Sequence, residues 1–266
     1  MNTLTAGQHN LIYPFWGIDG DYRDWFPENE LYLVSAASLW SSKRKKFIKR
    51  SYPLPRNRMF LDCGGYSFFS KYSKYPFTPD EYFRLVSHNY YGYGPLIWAS
   101  MDYPCEDTIN RGNLLSNNDR IMATVDYLKY FTRKDFRGLL PVIQGYTIPE
   151  RLLCFEKILQ FGLQKPYMAI GSLCACNSIK MIDDIILTLG KFAVANMPSF
   201  RGFHLFGVKL DWLSYARESR QYVFSIDTSA WRYFGAKSGK IFPNRNEEQS
   251  RFFGYRERFR LLASTN

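Results

Sequence analysis

Histidine and cysteine are scarce in this chain. The three histidines, His9, His88 and His204, show no ligand spacing around any cysteine pair. The five cysteines are Cys63, Cys105, Cys154, Cys174 and Cys176, an odd number with no secretory context, so reduced thiols are expected. Only Cys174-x-Cys176 is spaced for metal, and no second pair completes a site; core or turn cysteines and no metal or other cofactor are the expectation. There is no run of about twenty apolar residues, and Met1 to Asn10 is polar, which argues against a membrane partner or a secretory leader and for a soluble, cytoplasmic protein. No Pro/Ser/Gly-rich linker, low-complexity tract or internal repeat divides the 266 residues, so a single domain over 1–266 is expected.

Acidic residues are also in short supply. Against 35 Lys and Arg there are 24 Asp and Glu, a net charge of +11, and the excess is clustered. Lys43-Arg44-Lys45-Lys46 is followed by Lys49, Arg50, Arg56 and Arg58, and the C-terminal segment carries Arg245, Arg251, Arg256, Arg258 and Arg260. A solvated helix face accounts for either cluster alone. Two on one basic chain point to a nucleic-acid partner, whose phosphates they would neutralise with release of counterions.

Apolar and aromatic residues are plentiful, at 46% and 18%, enough for a large core. Strand-like runs alternate with helix-like stretches. The strands are Leu31 to Ala36, Phe60 to Asp62, Leu96 to Asp102, Leu139 to Gly145, Tyr167 to Gly171, Gly202 to Val208 and Tyr222 to Asp227. Helices begin at Thr78-Pro79-Asp80-Glu81 and Thr147-Ile148-Pro149-Glu150, each a capping box with an early proline, and cover about Asn117 to Tyr130, Ile179 to Ala195 and Glu247 to Leu262. This alternation predicts a (β/α)8 TIM barrel, with a doubly wound open sheet as the alternative and a short eighth strand expected before the last helix. Asp62, Asp102, Gln144, Gly171, Gly207 and Asp227 all fall where an apolar run stops, and in a barrel they converge on one mouth.

The organising stretch is Met59-Phe60-Leu61-Asp62-Cys63-Gly64-Gly65-Tyr66. It reads as a buried parallel strand that ends at a tight turn and presents Asp62 as an acid, base or nucleophile. Gly64 and Gly65 would let backbone approach a flat ligand. The alternative reading is an Asp that caps the following helix.

In family order, these residues resemble the tRNA-guanine transglycosylases. Phe60 to Tyr66 resembles their Asp-Ser-Gly-Gly-Phe segment, and Ser100-Met101-Asp102 with Cys105 their Phe-Asp-Glu-Cys. Val142-Ile143-Gln144-Gly145 resembles Val-Gln-Gly, Ala169-Ile170-Gly171-Ser172-Leu173 their Ile-Gly-Gly-Leu turn, and Leu205-Phe206-Gly207-Val208 their Leu-Met-Gly-Val. Ser225-Ile226-Asp227-Thr228-Ser229 stands where that family carries its nucleophile. The tRNA enzymes have a zinc site of cysteines and a histidine near the C-terminus; here no Cys follows Cys176 and no His follows His204. The short chain and Asp227-Thr228-Ser229-Ala230-Trp231 are more similar to the DpdA branch of bacterial and phage enzymes, which exchange guanine in DNA for a 7-deazaguanine.

The resemblance implies a retaining double displacement at C1′, with Asp227 as nucleophile and Asp62 protonating departing guanine or deprotonating the incoming base. It also implies Asp102 as acceptor for guanine N1–H and the exocyclic amine, Gln144 and the amide near Gly171 as donors to O6, and Tyr66 stacking on the purine. The implied partners are DNA and a free 7-deazaguanine base, with the 7-cyano form expected; a partner protein that opens the duplex stays open. The target must be flipped out or single-stranded. Lys43 to Arg58 is expected on the backbone, with Tyr90, Tyr91, Tyr93, Trp231 and Tyr233 as candidate stacking rings. A zinc-free enzyme acting on tRNA and a non-catalytic nucleic-acid-binding barrel are the alternatives.

Overall fold

The strand runs are apolar on both faces because both faces are covered, one by the centre of a barrel and the other by helices. The computed structural model describes residues 12–18, 25–48, 58–87, 96–106, 109, 115–174, 176, 178–228 and 245–264. Its strands are β1 (Tyr13–Ile18), β2 (Leu31–Ser35), β3 (Trp40–Ser41), β4 (Lys46–Phe47), β5 (Met59–Asp62), β6 (Ile97–Ala99), β7 (Leu139–Leu140), β8 (Val142–Ile143), β9 (Tyr167–Ile170), β10 (Gly202–Leu205) and β11 (Val223–Thr228). Strands β3 and β4 form a small antiparallel hairpin; the others run parallel in the order β7-β6-β5-β2-β1-β11-β10-β9-β8. The two ends of that order are halves of one strand. Pro141 separates β7 from β8, and its carbonyl still accepts the Ala169 N–H at 2.7 Å, so the ring closes across a residue that has no N–H of its own. The result is the predicted TIM-type α/β barrel.

The helices are α1 (Gly65–Tyr72), α2 (Pro79–Ser87), α3 (Asn117–Thr132), α4 (Ile148–Gln160), α5 (Ile179–Asn196), α6 (Asp211–Tyr215) and α7 (Arg245–Ser264). The capping boxes expected at Thr78 and Thr147 form through Glu81 and Glu150. A third, Ser116 with Asp119, starts α3.

Residues 229–244, where a short eighth strand is expected before the last helix, lie outside the described residues; the barrel strand that the sequence pattern does not show is β1 (Tyr13–Ile18). Its Tyr-Pro-Phe-Trp-Gly-Ile sequence carries a proline and a glycine that mask the strand pattern. What makes it a strand is tertiary. It pairs with both β2 and β11, and Trp16 points outward onto Phe252 and Phe259 of α7, with ring centroids 5.4 and 5.9 Å away. The Trp16 indole N–H donates to Glu30, which also receives Arg256 and Arg260. Arg258 pairs with Asp211 and Arg251 with Glu247. Most of the C-terminal arginine cluster is thus paired with acids within the protein, although Arg258 and Arg260 stay half-exposed. No helix among the described residues is long and apolar enough to cross a membrane.

Candidate active site

The strand period of two sets up the mouth. Leu33, Phe60, Val142 and Ala169 fill the barrel interior, so the residues two steps on, Ser35, Asp62, Gln144 and Gly171, face the same axis at the carboxyl ends of β2, β5, β8 and β9. Asp227 reaches the same mouth from β11, and Asp102 from the segment after β6. The predicted convergence therefore occurs.

Asp62 Oδ2 accepts the Gly64 N–H at 3.1 Å, a turn across two residues that leads into α1; Gly64 is the N-cap of that helix and has no side-chain cap, so Asp62 is not its capping residue. Ser35 adds a side-chain hydrogen bond. Burial, followed by the nearby Asp102 and Asp227 carboxylates, pushes the Asp62 carboxyl up to about 7, despite the two hydrogen bonds that favour its anion.

Asp102 is only 7% exposed. Its Oδ1 accepts the Cys63 thiol at 2.8 Å, its Oδ2 accepts the Gln144 amide N–H, and its backbone carbonyl accepts the Tyr75 hydroxyl at 2.8 Å. Burial raises the Asp102 carboxyl above its ordinary value, against these donors. The Cys63 thiol is itself pushed well up by burial and by Asp102, which keeps it a protonated donor.

Gln144 is oriented from both ends. Its Nε2 faces Asp102, and its Oε1 accepts the Ser172 hydroxyl at 2.7 Å. That hydroxyl sits in a tight turn with Ser172 at φ 55°, whose carbonyl, with that of Gly171, is held by the fully buried Arg151 of α4 at 3.2 and 2.6 Å.

The glycines play parts different from those expected. A Cβ on Gly65 would meet Asp102 Oδ1 and the Tyr75 hydroxyl at 2.9 Å, and one on Gly64, at φ 77°, would meet Ser35 Oγ and the Ala37 nitrogen at 2.9 Å. The space they leave is filled by the protein's own polar groups rather than held open for a ligand. The Gly171 N–H is taken up by the Ile143 carbonyl at 3.0 Å, so it is not a free donor to a base; a Cβ there would stand 2.3 Å from Gln144 Nε2. The Gly207 N–H donates to Asp227 Oδ1 at 2.8 Å, serving that carboxylate rather than a substrate.

Tyr66 lies on the first turn of α1, 51% exposed. Lys43, Arg44, Lys45 and Lys46 are exposed on the β3–β4 hairpin, and none pairs with an acid among the described residues. Trp40 and Phe47 anchor the hairpin to Phe77, which packs on Phe68 of α1, so the basic turn is tied to the helix that leaves the site. Lys49, Arg50 and Trp231, together with Arg56, Tyr90, Tyr91, Tyr93 and Tyr233, lie outside the described residues. Cys174 is exposed and Cys176 is buried with its thiol toward the Ser172 carbonyl; no metal-holding group of His, Cys, Asp and Glu occurs among the described residues.

Sequence reasoning does not single out Tyr75, Arg151 or His204. Tyr75 and Arg151 carry no local signal, since each reaches the site from a neighbouring element. His204 has one: it is a polar residue inside an otherwise apolar strand run.

No curated protein matches the chain. The family model of DpdA, DeoxyPurine in DNA protein A, matches residues 28–261, which span all of the site residues and most of the barrel. The chain therefore belongs to the DpdA family, with a DNA transglycosylase-type function.

Proposed function

We propose that residues 1–266 act as one barrel domain that exchanges guanine in DNA for a free 7-deazaguanine, with the 7-cyano form as the expected substrate. The observation that carries this reading is the meeting of three carboxylates with different surroundings at one barrel mouth. Asp62 is poised near neutrality, Asp102 is locked among donors, and Asp227 is held through one oxygen.

In this scheme Asp227 Oδ2 attacks C1′ of a flipped-out deoxyguanosine, and the C1′–N9 bond breaks with its electron pair passing to guanine. Asp62, near half-protonated at neutral pH, gives its proton to the departing base. The incoming deazaguanine then returns the proton from its N9 to Asp62 as N9 bonds C1′ and the Asp227 ester bond breaks. Protons balance over the cycle, and configuration is retained because C1′ is displaced twice. Asp102 accepts from guanine N1–H and the amine, and the second N–H of the Gln144 amide is directed to O6. Tyr66 supplies a ring face, and the Lys43–Lys46 turn contacts the DNA backbone.

The experiment is incubation with duplex DNA, single-stranded DNA and tRNA, each with and without 7-cyano-7-deazaguanine, followed by nucleoside mass spectrometry. Exchange confined to DNA is the expected result; exchange in tRNA overturns the substrate assignment. The variant Asp227→Ala is expected to abolish the covalent DNA adduct while DNA binding survives, and an adduct that persists removes Asp227 as nucleophile.

A further inference from the structure

His204 of β10 is fully buried in the barrel interior, boxed by Phe60 and Phe206 at 4.6 Å, Phe15 at 5.8 Å and Phe224 at 6.3 Å between ring centroids. An imidazole in an aromatic box is a costly way to fill space unless its nitrogens have partners. Both point at β11. Nδ1 lies 2.8 Å from the Ser225 hydroxyl, whereas Nε2 is a buried nitrogen with no formed hydrogen bond among the described residues and has Asp227 Oδ1, the oxygen already held by the Gly207 N–H, 3.4 Å away. A register shift between Phe203 and His204 brings His204 level with Ser225, one inward-facing position below Asp227.

We propose that His204 is a positioning residue that presents Asp227 for attack and stabilises it as the leaving carboxylate, by donating Nε2–H to Oδ1 in concert with the Gly207 amide. The inference rests on Asp227 being the nucleophile. Burial holds the imidazole below its ordinary value and so keeps it neutral with one N–H. A lone pair on Nε2 would face a carboxylate, so the proton belongs on Nε2 and the Ser225 hydroxyl donates to Nδ1. Two N–H donors then converge on Oδ1, which leaves Oδ2 to form the bond to C1′. In the second displacement C1′–Oδ2 breaks, its electron pair returns to the carboxylate, and the 3.4 Å contact tightens as charge reappears on Oδ1.

The test has two arms. Imidazole nitrogen NMR on the substrate-free protein is expected to show the Nε2–H tautomer, and the Nδ1–H tautomer overturns the proposal. This arm needs no turnover, so it stands even if the proposed exchange reaction is not observed. In the second arm, His204→Phe fits the aromatic box, and its fold is checked by thermal melting. Its kcat is expected to fall on the order of a hundredfold with KM for the free base little changed. The covalent adduct should accumulate because its breakdown slows. His204→Gln, which keeps an N–H near the Nε2 position, is expected to recover much of the rate. If wild type turns over and a folded His204→Phe does so equally, or if His204→Gln is no better than His204→Phe, the positioning role is refuted.

Discussion

Asp62→Asn should make the protein more stable while disabling it. The native carboxyl is raised from 3.8 to about 7, chiefly by burial and then by Asp102 and Asp227. At about 1.4 kcal/mol per pKa unit, this corresponds to about 4 kcal/mol of cost once the group is ionised. Solvent at the barrel mouth screens part of it, which leaves on the order of 2 kcal/mol. The sign follows from proton counts: between pH 4 and 7 the native state holds a proton that the unfolded chain has released, so stability falls as pH rises through that window. Asparagine keeps an acceptor for the Gly64 N–H and carries no charge to repel its neighbours. The variant's advantage in urea unfolding should therefore be near zero at pH 4 and full above pH 7, worth roughly 5 °C in melting temperature at pH 8. Base exchange should be lost over the same range. An advantage that is the same at pH 4.5 and pH 8 would show that the Asp62 carboxyl is not raised in the native state and would remove the basis for its proton-shuttling role.

Reversing the hairpin charges, Lys43, Arg44, Lys45 and Lys46 to Glu, should weaken DNA binding and flatten its dependence on salt, by about 0.9 in the log-log slope for each phosphate that is no longer neutralised. An unchanged slope returns this turn to being a solvated loop. Gly171→Ala puts a Cβ within 2.3 Å of Gln144 Nε2 and must push that amide away from Asp102, so affinity for free 7-cyano-7-deazaguanine in calorimetry should drop about tenfold or more while DNA binding holds. Unaltered base affinity would take Gln144 out of base recognition.

The barrel is legible in the sequence because its signals are local and repeat along the chain. Apolar runs that stop at Asp62, Gln144, Gly171 and Asp227 mark strand ends, and Thr78 with Glu81 and Thr147 with Glu150 mark helix starts; both kinds of signal lie within a few residues. β1 is not legible because Pro14 and Gly17 interrupt its pattern, and its strand character comes from pairing with β2 and β11 and from packing against α7, more than two hundred residues away. Charge misleads in a similar way. Composition counts Arg256, Arg258 and Arg260 as free cations, yet they pair with Glu30 and Asp211, which no spacing rule connects to them, as well as with Glu257 on their own helix.

The candidate site divides along the same line. The sequence exposes the groups that would touch a substrate, since they sit where strands end. It hides Tyr75 beside Asp102, Arg151 behind Gln144 and His204 beside Asp227, and it shows Cys63, Ser172 and Gly207 without their orienting parts. Each orienting group comes from an element other than the one carrying its carboxylate or amide, so its role exists only once the barrel has closed. The same dependence explains the glycines. Gly65 and Gly171 have no special φ requirement that a turn rule would detect, but each is the one residue type that lets a neighbouring strand's Asp102 or Gln144 occupy the space beside it. A substitution that kept every acid and amide in the sequence and added one methyl group at Gly171 would thus perturb the site by displacing Gln144, without replacing any residue proposed to meet the base.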